Sequence, residues 1–140
     1  KLHYLAKGER MAKFDIQGID DLMDELSYLD VERIAPMMLE EAEPILKKEV
    51  VKQVEKHRDT GDMAKSIKST GAERTKNGYY LAVRPTGKDR KGVRNMEKLA
   101  YLEYGTGREA ARPVLSKAVH TAEEEVLKKM QEVYDRETQR

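Results

Sequence analysis

The feature that most restricts the fold is a change of character in the middle of the chain, between two long stretches whose apolar residues have helical spacing. Residues 58–95 are rich in turn formers and contain five glycines: Gly61, Gly71, Gly78, Gly87 and Gly92. Glycine is costly inside a helix and well suited to turns, so a continuous helix is excluded here. The chain must therefore combine helices with a central region of strands and loops.

The dipeptide Asn77-Gly78 predicts a hairpin in this central region, because both residues tolerate the positive φ of a type I′ turn. The residues after it alternate between apolar and polar, with Tyr79, Leu81 and Val83 on one face. We expect the partner strand at residues 66–75. Pro85 is expected to end the second strand, since proline cannot donate a ladder hydrogen bond.

Two helices are predicted before this region. The first has one apolar face: Ile19, Leu22, Met23, Leu26 and Leu29. Asp30 marks a break, and a second helix begins at Glu32 or Pro36 and ends at His57. Its inner face holds Met38, Ala42, Ile45, Leu46, Val50 and Val54. Pro44 lies within this pattern and predicts either a bend or a later start, of which we favour the bend.

Two further helices are predicted after the strands. Residues 96–104 fit a short helix or a strand, and we favour the helix. Arg112-Pro113 opens a final helix with an apolar stripe: Val114, Ala118, Ala122, Val126, Met130 and Val133 or Tyr134. The expected fold is an α+β domain over residues 11–140, in which long N- and C-terminal helices pack on a small antiparallel sheet. Residues 1–10 are expected to be a leader or extension outside it.

A polar run at residues 86–95 predicts an exposed, mobile loop with four basic residues: Lys88, Arg90, Lys91 and Arg94. The formal net charge of the chain is only +1, so bulk attraction to nucleic acid or to an anionic membrane is not expected. A binding role confined to these four basic residues is compatible with this net charge. One function that the sequence allows is a small nucleic-acid-binding module that uses residues 88–94, with stacking by Tyr79 and Tyr80.

Patterns for catalysis or metal binding are not found in the sequence. The chain has no cysteine, and its three histidines are far apart: His3, His57 and His120. Its many carboxylates lie among lysines, which is typical of a solvated surface. We therefore expect no enzymatic activity, cofactor, metal ion or small-molecule substrate. No apolar run approaches the roughly 18 residues of a membrane span, so membrane association is not expected.

Three segments resemble motifs of a protein family from long-tailed bacteriophages. Residues 60–67 resemble a Thr-Gly-x-Leu-x-x-Ser-Ile string, with Met63 in place of leucine. Residues 101–106 are similar to a signature of aromatic, apolar, Glu, aromatic, Gly and Thr. Residues 111–118 resemble the Pro-Phe-Leu-x-x-Ala start of a last helix, with Val114 in place of phenylalanine. The family is that of the phage neck and tail-completion proteins, which join head to tail.

The resemblance covers about residues 19–133 and implies a structural protein of the virion. It implies a neck or tail-completion ring at the head–tail junction of a phage or prophage, assembled in the cytoplasm of the host bacterium. The implied partners are copies of the same chain, expected to form a hexameric ring, and adjacent connector, neck or tail proteins. Contact with DNA in the channel is also implied, and enzymatic activity is not.

Glu103 is a charged residue that has aromatic and apolar neighbours in the sequence. This residue lies between Tyr101 and Tyr104 in the sequence, so its carboxylate is expected to contact apolar neighbours and to need a partner. Arg108 or Arg112 could supply that partner within the chain. A neighbouring subunit could supply it instead, or the carboxylate could be exposed.

Gly61 and Gly105 are expected in turns that a side chain would obstruct. The string Gly105-Thr106-Gly107 fits such a turn better than a phosphate-binding loop, because the Gly-Lys-Ser/Thr end of such a loop is missing. The helix from Pro113 onward is expected to offer apolar surface to a neighbouring subunit. We expect the isolated protein to be monomeric or weakly oligomeric, with the ring forming on a template.

Overall fold

The protein is described by a computed structural model that covers residues 2–4, 12–15 and 28–139. Within these residues the chain order is β1 (Leu2–Tyr4), β2 (Ala12–Asp15), α1 (Tyr28–Glu55), α2 (Asp62–Lys65), β3 (Ile67–Ser69), β4 (Glu73–Thr75), β5 (Gly78–Pro85), α3 (Asn95–Tyr104) and α4 (Leu115–Thr138). The predicted fold class is confirmed. Long helices near the two ends of the domain accompany a small antiparallel sheet.

The core lies mainly between α1 and α4, which make the most extensive contact in the domain. Each helix presents a buried stripe at spacings of three and four residues: Ile34, Met38, Leu39, Ala42, Leu46, Val50 and Val54 from α1, and Leu115, Ala118, Ala122, Val126, Met130 and Val133 from α4. The apolar stripe of α4 is therefore covered by the chain itself. This stripe therefore gives no support to the prediction that the helix from Pro113 onward offers apolar surface to a neighbouring subunit.

The helix α1 is longer than the sequence pattern indicated. It runs without interruption from Tyr28, so Asp30 lies inside it and does not mark a break. Pro36 also lies inside α1 and not in its first turn, and Pro44 lies inside it as the bend interpretation requires. Apolar residues before and after each proline are buried in the core. Their burial stabilises the helix by more than the loss of one backbone hydrogen bond destabilises it. The separate first helix, expected around residues 19–27, lies outside the described residues.

The strand β5 is the centre of the sheet. It pairs with β2 on one side and with both β3 and β4 on the other, and β1 extends the sheet beyond β2, all antiparallel. Residues 1–10, expected to lie outside the fold, thus contribute the strand β1. The sequence analysis did not predict β2, whose four residues carry too short a pattern to stand out.

The expected partner strand at residues 66–75 is divided into β3 and β4. Thr70 interrupts it, because its amide donates to the Ala82 carbonyl while its Oγ1 accepts from the Ala82 amide, at 2.9 and 3.1 Å. The predicted hairpin is confirmed, and its turn lies one residue earlier in the chain than expected. Thr75 pairs with Gly78, so the two-residue loop is Lys76-Asn77.

Candidate assembly cleft

A cleft of about 240 Å³ lies where the end of α1 meets α2, α3 and the segment before α4. Its apolar lining includes Val54, Met63, Ala64 and Leu102, and its polar lining includes His57, Arg58, Asp59, Lys98, Glu109 and Arg112. Tyr101, which also lines it, is 53% exposed. Tyr101 and Val93 are the exposed large hydrophobic residues among those described. The cleft thus has an apolar interior, a charged rim and an accessible aromatic side chain.

Gly61 forms the turn that leads into the cleft from α1. Its φ is +86°, a left-handed conformation that other residues adopt at a cost, and it precedes α2 directly. A side chain here would also approach the guanidinium of Arg58, with its Cβ 3.1 Å from Nη2. Thr60 supports the turn, since its Oγ1 accepts a hydrogen bond from the Asp62 amide at 3.2 Å. The expectation for Gly61 is confirmed.

Glu103 is buried, as expected from its neighbours, but its partner is not an arginine. Its Oε1 accepts hydrogen bonds from the amides of Val114, Leu115 and Ser116 at 3.0, 2.5 and 3.3 Å. Its Oε2 accepts from the Ser116 hydroxyl at 2.9 Å. These amides are the ones that a helix leaves without a partner at its N-terminus. Glu103 on α3 therefore caps α4, a role that local sequence spacing did not reveal.

The arginines proposed as partners of Glu103 lie elsewhere. Arg112 is exposed, its guanidinium is 3.5 Å from Glu109, and its amide donates to the Leu102 carbonyl at 2.7 Å. The Arg108 amide donates to Thr106 Oγ1 at 3.2 Å. The prediction that one of these arginines pairs with Glu103 is wrong, because the start of α4 already occupies the carboxylate.

Gly105 ends α3 in a conformation that only glycine adopts readily, with φ +75° and ψ 179°. Thr106 then closes a tight turn: its amide donates to the Glu109 carbonyl, and its Oγ1 accepts from the Glu109 amide at 3.0 Å. The turn interpretation of this string is confirmed. Tyr104, the last residue of α3, is half-buried, and Pro113 is exposed just before α4. Pro113 thus precedes the helix that it was expected to open.

The basic loop, residues 86–95, is held by polar contacts. Asp89 is buried, and its carboxylate accepts from the amides of Lys91 and Val93, both at 2.9 Å, and from Lys98 Nζ at 2.8 Å. These contacts lower the pKa of Asp89, with Lys98 as the largest cause. Asn95 closes the base of the loop by donating from its side chain to the Thr86 carbonyl at 2.8 Å. The sequence analysis did not identify the role of Asp89 in this loop, although an Asp followed three residues later by Gly is a common turn signal.

These contacts argue against the expected mobility of the loop. We now expect the Val93 amide to exchange with solvent at least about tenfold more slowly than the Gly107 amide, for which the described residues offer no acceptor. Hydrogen exchange followed by NMR would measure both sites in one sample. Equal exchange at the two sites would restore the mobile-loop prediction.

The polar lining of the cleft includes His57, which lies just after the end of α1. Burial lowers the pKa of His57, and the positive charges of Arg112, Lys117 and Lys56 lower it further, which favours the neutral imidazole. In the part of the chain with described coordinates, no three His, Cys, Asp or Glu side chains are placed to hold a metal ion. Of the helices in that same part, none has the length and apolar character to cross a membrane.

No protein-family model, curated protein or solved structure matches this chain.

Proposed function

We propose that this chain is a structural protein of the phage head–tail junction, a subunit of a neck or tail-completion ring. It assembles with copies of itself and with adjacent connector, neck or tail proteins in the virion. Its contribution is to hold other chains in place, and it performs no chemical reaction.

The observation that carries this proposal is the convergence of the three motif segments on one cleft. It is lined by Thr60, Gly61, Met63 and Ala64 from the first segment, by Tyr101 and Leu102 from the second, and by Arg112 from the third. The segments also have structural roles, since Gly61 and Gly105 form turns and Glu103 of the second segment accepts hydrogen bonds from the amides of Val114 and Leu115 in the third. Residues that recur together in a family for a structural reason should meet in space, and these do.

The cleft and Tyr101 form the surface that we assign to contact with a neighbouring subunit. An exposed aromatic ring beside an apolar pocket with a charged rim has the composition of an interface core and its border. We prefer this surface to the helix from Pro113 onward, because the apolar stripe of that helix is buried in the chain. We expect the contact between two single subunits to be weak, so that the ring closes on a template that holds many subunits together.

The function is tested by deleting the gene from the phage or prophage that carries it. We expect full heads and separate tails, because the two parts would lack the ring that joins them. Electron microscopy of the lysate would show this, and supplying the wild-type chain from a plasmid should restore complete particles. Density for the chain at the neck of those particles would identify its position.

The contact surface is tested in the same complementation assay. Tyr101→Glu should fold normally, because the side chain is 53% exposed, and should fail to restore joined particles. Glu125→Gln, on the exposed side of α4, is the matched surface control and should restore them. Complete particles without the chain would overturn the proposed function. Full rescue by Tyr101→Glu would overturn only the choice of surface.

A further inference from the structure

Two of the four cations of the basic loop form ion pairs with aspartates: Asp59, between α1 and α2, and Asp62, the first residue of α2. Arg90 makes two side-chain bonds to Asp62, from Nη2 to Oδ1 at 2.9 Å and from Nε to Oδ2 at 3.1 Å. The Arg90 amide also donates to Asp62 Oδ2 at 2.9 Å. Lys91 Nζ lies 3.2 Å from Asp59 Oδ2. Both cations remain more than 60% exposed, so water and salt weaken these pairs.

The other two cations lie at the base of the same loop. Lys88 and Arg94 are joined by an antiparallel backbone bridge, and both side chains are exposed. No ion pair to either is found among the residues with described side chains. The loop therefore brings four cations together, of which two are paired and two face solvent.

The turn of the loop is held mainly by residues other than Asp59 and Asp62, although the Arg90 amide also donates to Asp62 Oδ2. Asp89, whose side chain is only 1% exposed, holds the turn through two amides and through Lys98 on α3. Asn95 holds the base. Asparagine at position 62 keeps an oxygen that can accept from the Arg90 amide. We therefore expect the cations to stay in place and become available when the charges of Asp59 and Asp62 are removed in this way.

We propose that residues 88–94 form a binding surface for the phosphate backbone of double-stranded DNA, and that Asp59 and Asp62 mask it. Phosphates at high density compete with the aspartates for Arg90 and Lys91, whereas isolated anions compete poorly. This proposal stands independently of the head–tail assignment, because it rests on the ion pairs alone.

Duplex DNA fits this surface better than single strands or lipid. The loop has no aromatic side chain for stacking on bases. Tyr79, considered for that role from the sequence, is buried, and the Tyr80 hydroxyl donates to Glu73. The one large apolar residue of the loop, Val93, is 39% exposed, which is little for insertion into a lipid surface. What remains is contact with phosphates, which does not depend on base sequence.

The test compares binding of a short DNA duplex over a range of salt concentrations. Asp59→Asn combined with Asp62→Asn keeps the side-chain shapes and removes both negative charges. We expect the plot of log K against log salt to steepen by about 1.8, since each additional phosphate contact contributes about 0.9. At low salt, binding should become about tenfold tighter or more. The wild-type chain should bind weakly.

Two controls separate unmasking from a change in total charge. Glu124→Gln with Glu125→Gln makes the same charge change at exposed positions of α4 and should leave the slope nearly unchanged. Adding Arg90→Gln and Lys91→Gln to the unmasked variant should cancel its gain. The Val93 amide should stay protected from exchange in the unmasked variant, because Asp89 still holds it.

Three results would overturn the proposal. The unmasked variant could bind no better than the α4 control, or its gain could occur with anionic phospholipid vesicles and not with DNA. Loss of Val93 protection in the unmasked variant would show that the aspartates shape the loop, which contradicts their role as a mask.

Discussion

Replacing Gly105 with valine is expected to destabilise the protein by about 3 to 5 kcal/mol, which sums the cost of a strained backbone and of an overpacked site. The backbone at Gly105 has φ +75°, where a β-branched residue is disfavoured. Its Cβ would also lie 2.7 Å from the Ala111 amide nitrogen and 2.9 Å from the Glu109 carbonyl oxygen. Both obstacles are backbone atoms, so they cannot move away as a side chain could. Thermal unfolding should show a fall in melting temperature on the order of 10 °C.

A pair of alanine variants tests the contribution of the close approach at Gly105. Gly87 also has a positive φ of +67°, but a Cβ there meets no atom within 4 Å. Gly87→Ala should therefore show only the backbone cost of about 1 kcal/mol, while Gly105→Ala should cost clearly more. If both variants lose the same stability, the close approach of residues 109–111 to Gly105 is not a determinant of the fold.

The large elements of the fold could be predicted because their signals are local. The stripes of α1 and α4 repeat over many turns, and the hairpin signal at Asn77-Gly78 lies within a few residues of the turn that forms. The predicted helix boundaries were wrong where burial in the tertiary structure outweighed a local sequence signal. Asp30 and Pro36 both indicate a helix boundary, yet both lie inside α1 because its long apolar face is buried against α4.

The small strands could not be predicted for a different reason. Four residues carry too little periodicity to be recognised, and β2 is defined by its pairing with β5 and not by its own pattern. The division of the strand at residues 66–75 likewise depends on Thr70, whose hydroxyl takes the place of a backbone acceptor. To predict either feature, one must know which segments of the chain are in contact.

The candidate site shows the same limit at the level of single residues. The need of Glu103 for a partner followed from its apolar neighbours in the sequence, and burial of the residue agrees. The identity of that partner did not follow, because charge suggested an arginine and the structure supplies backbone amides. Likewise, four basic residues identified the loop, but the aspartates that pair with two of them precede it by about 30 residues.

Removing the carboxylate of Glu103 is expected to separate α3 from the start of α4. Glu103→Ala leaves the amides of Val114 and Leu115 buried without an acceptor, and each such group costs about 1 to 3 kcal/mol. We therefore expect a loss of about 2 to 5 kcal/mol in the free energy of unfolding, measured by urea denaturation. Hydrogen exchange should accelerate first at these two amides.

The conservative variant decides whether this loss comes from capping or merely from a cavity. Glu103→Gln keeps an oxygen that can accept from the same amides and loses only the negative charge. That charge strengthens the hydrogen bonds and interacts favourably with the helix N-terminus, so its loss should cost about 1 to 2 kcal/mol. Ser116→Ala removes one bond to Oε2 and should cost about 1 kcal/mol in the wild-type chain. In the Glu103→Ala background the Ser116 substitution should cost much less, because its partner is already gone. If the two substitutions are additive and Glu103→Gln costs as much as Glu103→Ala, the side chain fills space at this position and does not cap α4.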